Sequence, residues 1–337
     1  MKLIERVEAF VNLGKRLRSL THDGFSLLAK QALLENAWFT KESVSLALQG
    51  VIELLEEGKL RSWVLAYGPE PSVSKTIGIA MAGNIPLVGF HDFLAVLISG
   101  HRLKHKLSSK DSVLMKFIQE ELLEIEPRFS EKIFMSDTLT GSDAMLGTGS
   151  DNTGRYFEYY FRNIPHIIRK NRASCAVIQG DETRQELQLL GVDVFSYFGL
   201  GCRNVSLIFI PNEFDPGVLL DSWKSFKSLM MHSKYANNYL YQKTLSLMNQ
   251  EIFLDNGFVL LKQRDSLVSP IATLFFNRYN DQQELHKMIA TYEEKLQVVV
   301  SAQSWFERSV SFGKAQLPEV SEYADHVDTM KFLMALK

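Results

Sequence analysis

Short apolar runs alternate with segments of helical periodicity along this 337-residue chain, and that alternation predicts an α/β protein with largely parallel sheets. Two observations carry the expectation. Runs that read as buried strands occur at residues 76–82, 132–135, 173–178, 205–210, 258–261, 271–276 and 296–300, and helical segments at 90–97, 111–124, 215–231 and 281–295 fall among them. Length adds the domain count, since at roughly 100–200 residues per domain the chain holds about two, each with a sizeable core. Ahead of the first strand, Leu3, Val7, Phe10, Val11 and Leu13 recur at helical spacing. Val44, Leu46, Val51, Ile52 and Leu55 do the same behind Thr40, an expected N-cap, with Gly58 expected to close that helix.

Composition narrows the class. Hydrophobic residues make up 46% and charged residues 23%, which is globular and not disordered. The 37 Lys+Arg against 39 Asp+Glu give a net charge of −2, so the chain as a whole offers no basic field for nucleic acid. Two cysteines, Cys175 and Cys202, cannot make a disulfide framework and suit a reducing compartment. Charges run through the N-terminus, and no apolar run approaches the ~20 residues of a membrane span. The chain is therefore expected to be soluble and cytoplasmic, without membrane insertion.

Three segments combine residue types that chemistry needs. Gly147-Thr-Gly149-Ser150-Asp-Asn-Thr-Gly154-Arg155 leads into the aromatic helix 156–161; glycine permits close backbone approach, and a helix N-terminus offers N–H groups to a phosphate. An ordinary turn and cap accounts for the same residues. In Tyr197-Phe-Gly199-Leu-Gly201-Cys202-Arg203-Asn204-Val205 a cysteine stands on a Gly-flanked turn before a strand, with Arg203 beside it to favour the thiolate; a small residue at a strand start is the plainer reading. Cys175, inside an apolar run, reads as core. Ala82-Gly83-Asn84-Ile85-Pro86 can aim an amide at an oxyanion, or be simply a turn. His91, His101 and His105 follow, but no metal-ligand spacing appears and no metal is expected. The charged tracts 120–126 and 182–188 read as solvated helix faces.

In their order, Gly-Asn84-Ile-Pro, Thr148-Gly-Ser-(x)3-Gly-Arg155 and Gly199-Leu-Gly-Cys202 resemble the aldehyde dehydrogenase superfamily. Tyr197-Phe-Gly-Leu-Gly-Cys-Arg-Asn-Val-Ser206 and Tyr323-Ala-Asp-His-Val-Asp-Thr-Met330 resemble its acyl-CoA reductase branch, the LuxC-like fatty acyl-CoA reductases. The resemblance spans about residues 76–335 of a chain shorter than most of the superfamily, mainly ahead of Asn84. It implies two α/β domains with the active site between them: a helical N-terminus plus cofactor-binding domain at 1–180, and a catalytic domain at 181–337 whose C-terminal tail closes the fold.

The resemblance makes Cys202 the nucleophile, and Asn84 with the Cys202 backbone N–H the oxyanion hole. Gly149 and Ser150 meet the cofactor pyrophosphate, and Lys106 meets the adenosine ribose. NAD-preferring relatives carry Glu three residues after that lysine; here Ser109 and then Lys110 stand instead, which favours NADPH. Aldehyde-oxidising relatives carry a water-activating glutamate ahead of the cysteine, yet no Asp or Glu lies between Glu158 and Asp181. The late segment around Ser269-Pro270 lacks the usual ribose-binding Glu, leaving Asp265 as a candidate and Ser266 near the place.

The implied activity is NADPH-dependent reduction of an acyl-CoA through an acyl-Cys202 intermediate, with CoA released. His91 is one candidate proton donor. A homodimer and a protein partner that delivers acyl groups or accepts the aldehyde are further expectations. Other readings stay open: an acyl-phosphate reductase of the glutamyl-phosphate type, an acyl transferase or thioesterase using the same cysteine, or a non-catalytic scaffold.

Overall fold

The computed structural model of the chain describes residues 1–149 and 151–336. It divides into two compact units, Met1–Asn171 with Leu317–Lys337, and Arg172–Gln316. The division thus falls near 171 where the sequence suggested 180, and residues 317–337 belong to the first unit. Side chains hold that return: the Trp63 indole donates to the Tyr323 hydroxyl at 2.7 Å, and the Tyr67 hydroxyl donates to Asp328 at 3.0 Å.

The first unit opens with α1 (Leu3–Arg18), α2 (His22–Glu35), α3 (Lys41–Leu54) and α4 (Glu57–Leu65). Thr40 caps α3 as expected, accepting from the Ser43 N–H. Gly58 does not close that helix: α3 stops at Leu54, and Glu56 starts α4 by accepting the Lys59 N–H at 2.9 Å, which leaves Gly58 in its first turn. Five strands follow: β1 (Thr76–Ala80), β2 (Arg102–Lys106), β3 (Ile133–Met135), β4 (Ala144–Thr148) and β5 (His166–Arg169). They form one parallel sheet in the order β3-β2-β1-β4-β5. The connections carry α5 (Phe90–Ile98), α6 (Ser112–Ile125) and α7 (Asp151–Phe161).

Nearly every side chain of α5 is buried, as suits a helix that is apolar apart from His91 and Asp92. It lies on β1 and β2 and is covered by α1 and by the C-terminal α12 (Thr329–Met334). Strand β2, Arg-Leu-Lys-His-Lys, has no apolar run to betray it; only Leu103 and His105 point inward.

The second unit holds β6 (Ala173–Val177), β7 (Val205–Pro211), β8 (Leu254–Asp255), β9 (Leu260–Gln263), β10 (Thr273–Tyr279), β11 (Leu296–Ser301) and β12 (Val310–Ser311). Their order is β12-β11-β6-β7-β10-β9-β8, parallel throughout except for the β8–β9 pair. Alternate residues build a core on each face. Ala176, Ile208 and Ile210 join α8 (Arg184–Phe195) and α9 (Gly217–Ser222) on one side, while Cys175, Val177, Leu207 and Phe209 join α11 (Gln282–Ala290) on the other. Burial on both faces is what parallel strands demand. The helix expected over 215–231 breaks at Trp223, whose fully buried indole donates to the Leu187 carbonyl at 2.7 Å, and the chain continues as a 3-10 segment before α10 (Ser233–Met248).

One buried charge pair ties three elements of the first unit. Arg169, at the end of β5, pairs with Asp92 of α5 and donates to the Thr329 hydroxyl of α12 at 2.8 Å; both charged residues are under a tenth exposed. Removing one partner leaves a buried, uncompensated charge. Arg169→Leu is therefore expected to lose about 3–5 kcal/mol of stability in a denaturant titration, whereas exposed Lys224→Ala, which breaks only a surface pair with Asp221, should lose less than about 1 kcal/mol.

Candidate active site

In an open parallel sheet, ligands bind beyond the carboxyl ends of the strands where the strand order reverses. In the first unit that point lies between β1 and β4. Three connecting segments leave there, and they carry Asn84, the 106–110 stretch and Gly149.

The first two are held together by hydrogen bonds. The Met81 N–H donates to the Lys106 carbonyl at 3.1 Å, and the Leu87 N–H to the Asp111 carboxylate at 2.7 Å. The Asn36 side chain, just past α2, donates to both the Gly83 carbonyl at 3.4 Å and the Lys110 carbonyl at 3.3 Å. The loops approach so closely that a Cβ on Gly83 would lie 2.5 Å from the Ser108 hydroxyl and 2.8 Å from its Cβ. Asn84, Ser109 and Lys110 are exposed on these loops, and Lys106 is exposed at the end of β2. Asn36 and Asp111 have no motif to announce them; their partners are 47 to 74 and 24 residues away in sequence.

Gly149 closes β4, its N–H donating to the Arg169 carbonyl at 3.2 Å, and α7 begins at Asp151. A Cβ on Gly149 would sit 2.8 Å from the Thr153 side chain, so only glycine lets the backbone run flush against the first helical turn. Such a turn lets backbone approach a phosphate closely; Lys106 ends β2, which β1 separates from β4. Ser150 lies outside the described residues.

In the second unit Cys202 stands half-buried just ahead of β7, at the amino edge of the sheet. Its carbonyl accepts from the Ser174 hydroxyl of β6 at 2.9 Å. The approach to it is unusual: Tyr197, Phe198 and Gly199 have φ of 50°, 59° and 80° in succession, and for the two non-glycine residues left-handed backbone costs on the order of 1–2 kcal/mol each. Burial of both aromatic side chains, Phe198 against the His232 ring at 4.5 Å, holds them there. Arg203 turns to the Ala315 carbonyl at 3.3 Å. Cys175 is fully enclosed, and burial pushes its thiol far up, which removes it as a nucleophile.

Other candidates find structural partners. Asp265 accepts from the Tyr292 hydroxyl at 2.5 Å and the Asn277 amide at 3.4 Å, and the Ser266 hydroxyl reaches the Val268 carbonyl at 3.5 Å. His91 contacts the Val320 carbonyl at 2.8 Å and stands edge-on to Tyr323. His101 bridges the Lys75 N–H and the Leu333 carbonyl, and His105 meets Gln119; burial pushes both imidazoles toward the neutral form. Among the described residues no group of three or more His, Cys, Asp or Glu is placed to hold a metal, and no helix is long and apolar enough to cross a membrane. The tract 120–126 is more than a solvated face, because Glu121 and Glu124 both pair with Arg16 of α1.

No protein-family model and no curated protein sequence matches the chain. Solved structures do. Aldehyde dehydrogenase 21 from Physcomitrella patens, in complex with the reaction product succinate, is similar at a TM-score of 0.71 and 12% identity, over 99% of this chain and 84% of that one. The chain has the aldehyde dehydrogenase fold. The NAD+ complex of aldehyde dehydrogenase from Bacillus cereus is similar at a TM-score of 0.64 and 13% identity, over 89% and 72% of the two chains. NADP-dependent glyceraldehyde-3-phosphate dehydrogenase from Bacillus halodurans, complexed with NADP, is similar at 0.62 and 14%, over 89% and 74%.

Asp111 gives the loops after β1 and β2 a pH signature. It is 1% exposed, and burial, with Glu35 nearby, pushes its carboxyl up to about 8 against the pull of the Leu87 N–H. The folded chain therefore keeps a proton that the unfolded chain loses near pH 4. The stability this confers is complete below about pH 4 and is lost as pH rises through about 8. Asp111→Asn, which mimics the neutral group, is expected to flatten the decline in melting temperature across that window; an unchanged slope excludes Asp111 as its source.

Proposed function

We propose that the chain is an NADPH-dependent acyl-CoA reductase. The observation that carries the reading is Cys202: a half-buried cysteine on a glycine-flanked turn at the amino edge of a sheet, in a chain with the aldehyde dehydrogenase fold. The Cys202 thiolate attacks the acyl carbon of the thioester, the carbon–sulfur bond to CoA breaks, and the acyl group remains on Cys202 while CoA leaves as the thiolate. The Cys202 N–H and the Asn84 amide are the proposed donors to the oxyanion. NADPH, when bound, supplies the hydride that turns the enzyme thioester into the aldehyde and frees the thiol.

The missing base supports reduction over hydrolysis. No carboxylate lies between Glu158 and Asp181, and Glu158 is itself paired with Lys170 at 2.8 Å. An acyl-Cys202 without a water-activating base persists long enough to be reduced or returned to CoA. Gly149 and Ser150 are the proposed pyrophosphate contacts, and Lys106, Ser109 and Lys110 the proposed ribose and 2′-phosphate contacts. A homodimer, and a protein partner that supplies acyl groups or takes the aldehyde, complete the reading.

Incubation with radiolabelled fatty acyl-CoA in the absence of NADPH should label the wild-type chain, and Cys202→Ala should stay unlabelled; equal labelling excludes Cys202 as the acyl carrier. Label from an acyl phosphate but not from acyl-CoA would assign the substrate to the phosphate instead. CoA release without NADPH oxidation would make the chain a transferase or thioesterase. Ser109→Glu places a carboxylate where a 2′-phosphate is expected, so the NADPH-over-NADH preference in kcat/KM should fall by about tenfold or more; an unchanged ratio removes Ser109 from cofactor choice.

A further inference from the structure

We propose that Asn204 is the positioning residue of the Cys202 nucleophile: its side-chain amide clamps the cysteine turn to the end of α8. The inference rests on the reading of Cys202 as the nucleophile. Asn204 is 2% exposed, and both ends of its amide are engaged. The Oδ1 accepts the Gly201 N–H at 2.8 Å, one residue ahead of Cys202. The Nδ2 donates to the carbonyls of Asp193 at 3.0 Å, Val194 at 3.4 Å and Ser196 at 2.8 Å. Those carbonyls belong to the last turn of α8 and the residue capping it, where helical partners run out. The backbone N–H of Asn204 closes the turn by donating to the Gly201 carbonyl at 3.1 Å.

The two ends of this clamp bracket the left-handed run at 197–199. A segment that departs from preferred backbone keeps one shape only while its surroundings over-determine it. Cys202 sits inside the loop so fixed, with the Ser174 hydroxyl holding its carbonyl from β6. The end of α8 is itself anchored: the buried Asp193 carboxylate accepts the N–H groups of Gly313 at 2.7 Å and Ala315 at 3.0 Å. The clamp therefore runs from the nucleophile's turn into the core of the unit.

Few side chains can replace it. The site needs one acceptor and a donor on a two-carbon reach in a space closed to water. Alanine supplies neither, an ionised aspartate only accepts, and glutamine is a carbon too long. Asparagine at this point is explained by the geometry, with no contact to substrate or cofactor required.

The test compares the wild-type chain with Asn204→Ala and Asn204→Asp, using iodoacetamide as probe and reading alkylation at the Cys202 peptide by mass spectrometry, alongside acyl-CoA labelling. Asn204→Ala is expected to slow acylation by about 10- to 100-fold, as misplacement of a reacting group does, with NADPH affinity unchanged. Asn204→Asp gives a readout that lost folding does not produce. Its introduced carboxyl, while neutral, still donates and accepts, and on ionisation it only accepts. The ratio of its alkylation rate to that of the wild type should therefore fall as pH rises from 5 to 9.

A flat ratio, or folded Asn204→Ala acylating at the wild-type rate, overturns the proposal. Hydrogen exchange in the wild type decides the matter even where both variants fail to fold, because the Gly201 N–H should be strongly protected, and exchange at the rate of an open peptide overturns the clamp. Should acyl-CoA leave no label on the wild type, the functional reading fails, while the alkylation and exchange arms still test Asn204.

Discussion

Parallel pairing is the constraint from which the rest of the architecture follows. A parallel strand can be reached only by a crossover and must be covered on both faces. Each unit meets this with alternate residues: in β6 and β7, Cys175 and Leu207 go one way, Ala176 and Ile208 the other. The same rule leaves the strand termini as the places where backbone is free to do something besides pairing. The Asn84 turn, the 106–110 loop and the Gly149 turn all leave carboxyl ends of one sheet, and the Cys202 turn enters the amino end of another.

What shapes those loops is mostly polar. Asn36 reaches two loops with one amide, Asp111 takes the Leu87 N–H, and Asn204 binds a turn to a helix end. Each is a short side chain, and each forms bonds to backbone, the form in which a loop geometry can be fixed without a strand ladder. The buried Arg169–Asp92 pair plays a comparable part at larger scale, joining β5, α5 and the returning α12. Its surroundings make the C-terminal segment part of the first unit although it follows the second in sequence.

Much of the fold was legible from pattern. Continuous apolar runs marked β1, β6, β7 and β11, because strands covered on both faces have no polar side to alternate with. Strand β2 has no such pattern, for the opposite reason: Arg102 and Lys106 are exposed at its ends, and His105, though buried, is polar. Trp223 cut a helix that periodicity would have continued, because an indole N–H in the core must find an acceptor and Leu187 provides it. The candidate site was legible where chemistry concentrates in a few adjacent residues, as at Gly199–Cys202 and Gly147–Gly149. It was not legible at Asn36, Asp111 or Asn204, whose side chains look like ordinary turn residues.

The sequence by itself determined the α/β class, the separation of Cys202 from Cys175 and the absence of a carboxylate between Glu158 and Asp181, because these depend on residue identity and local period. Tertiary structure alone decided where the units divide, which strands adjoin, that Gly83 and Gly149 are needed for close approach, and that Asn204 holds the cysteine turn. Those are contacts, and a contact between residues distant in the chain leaves no periodic trace in sequence; it exists only once burial has brought the partners together.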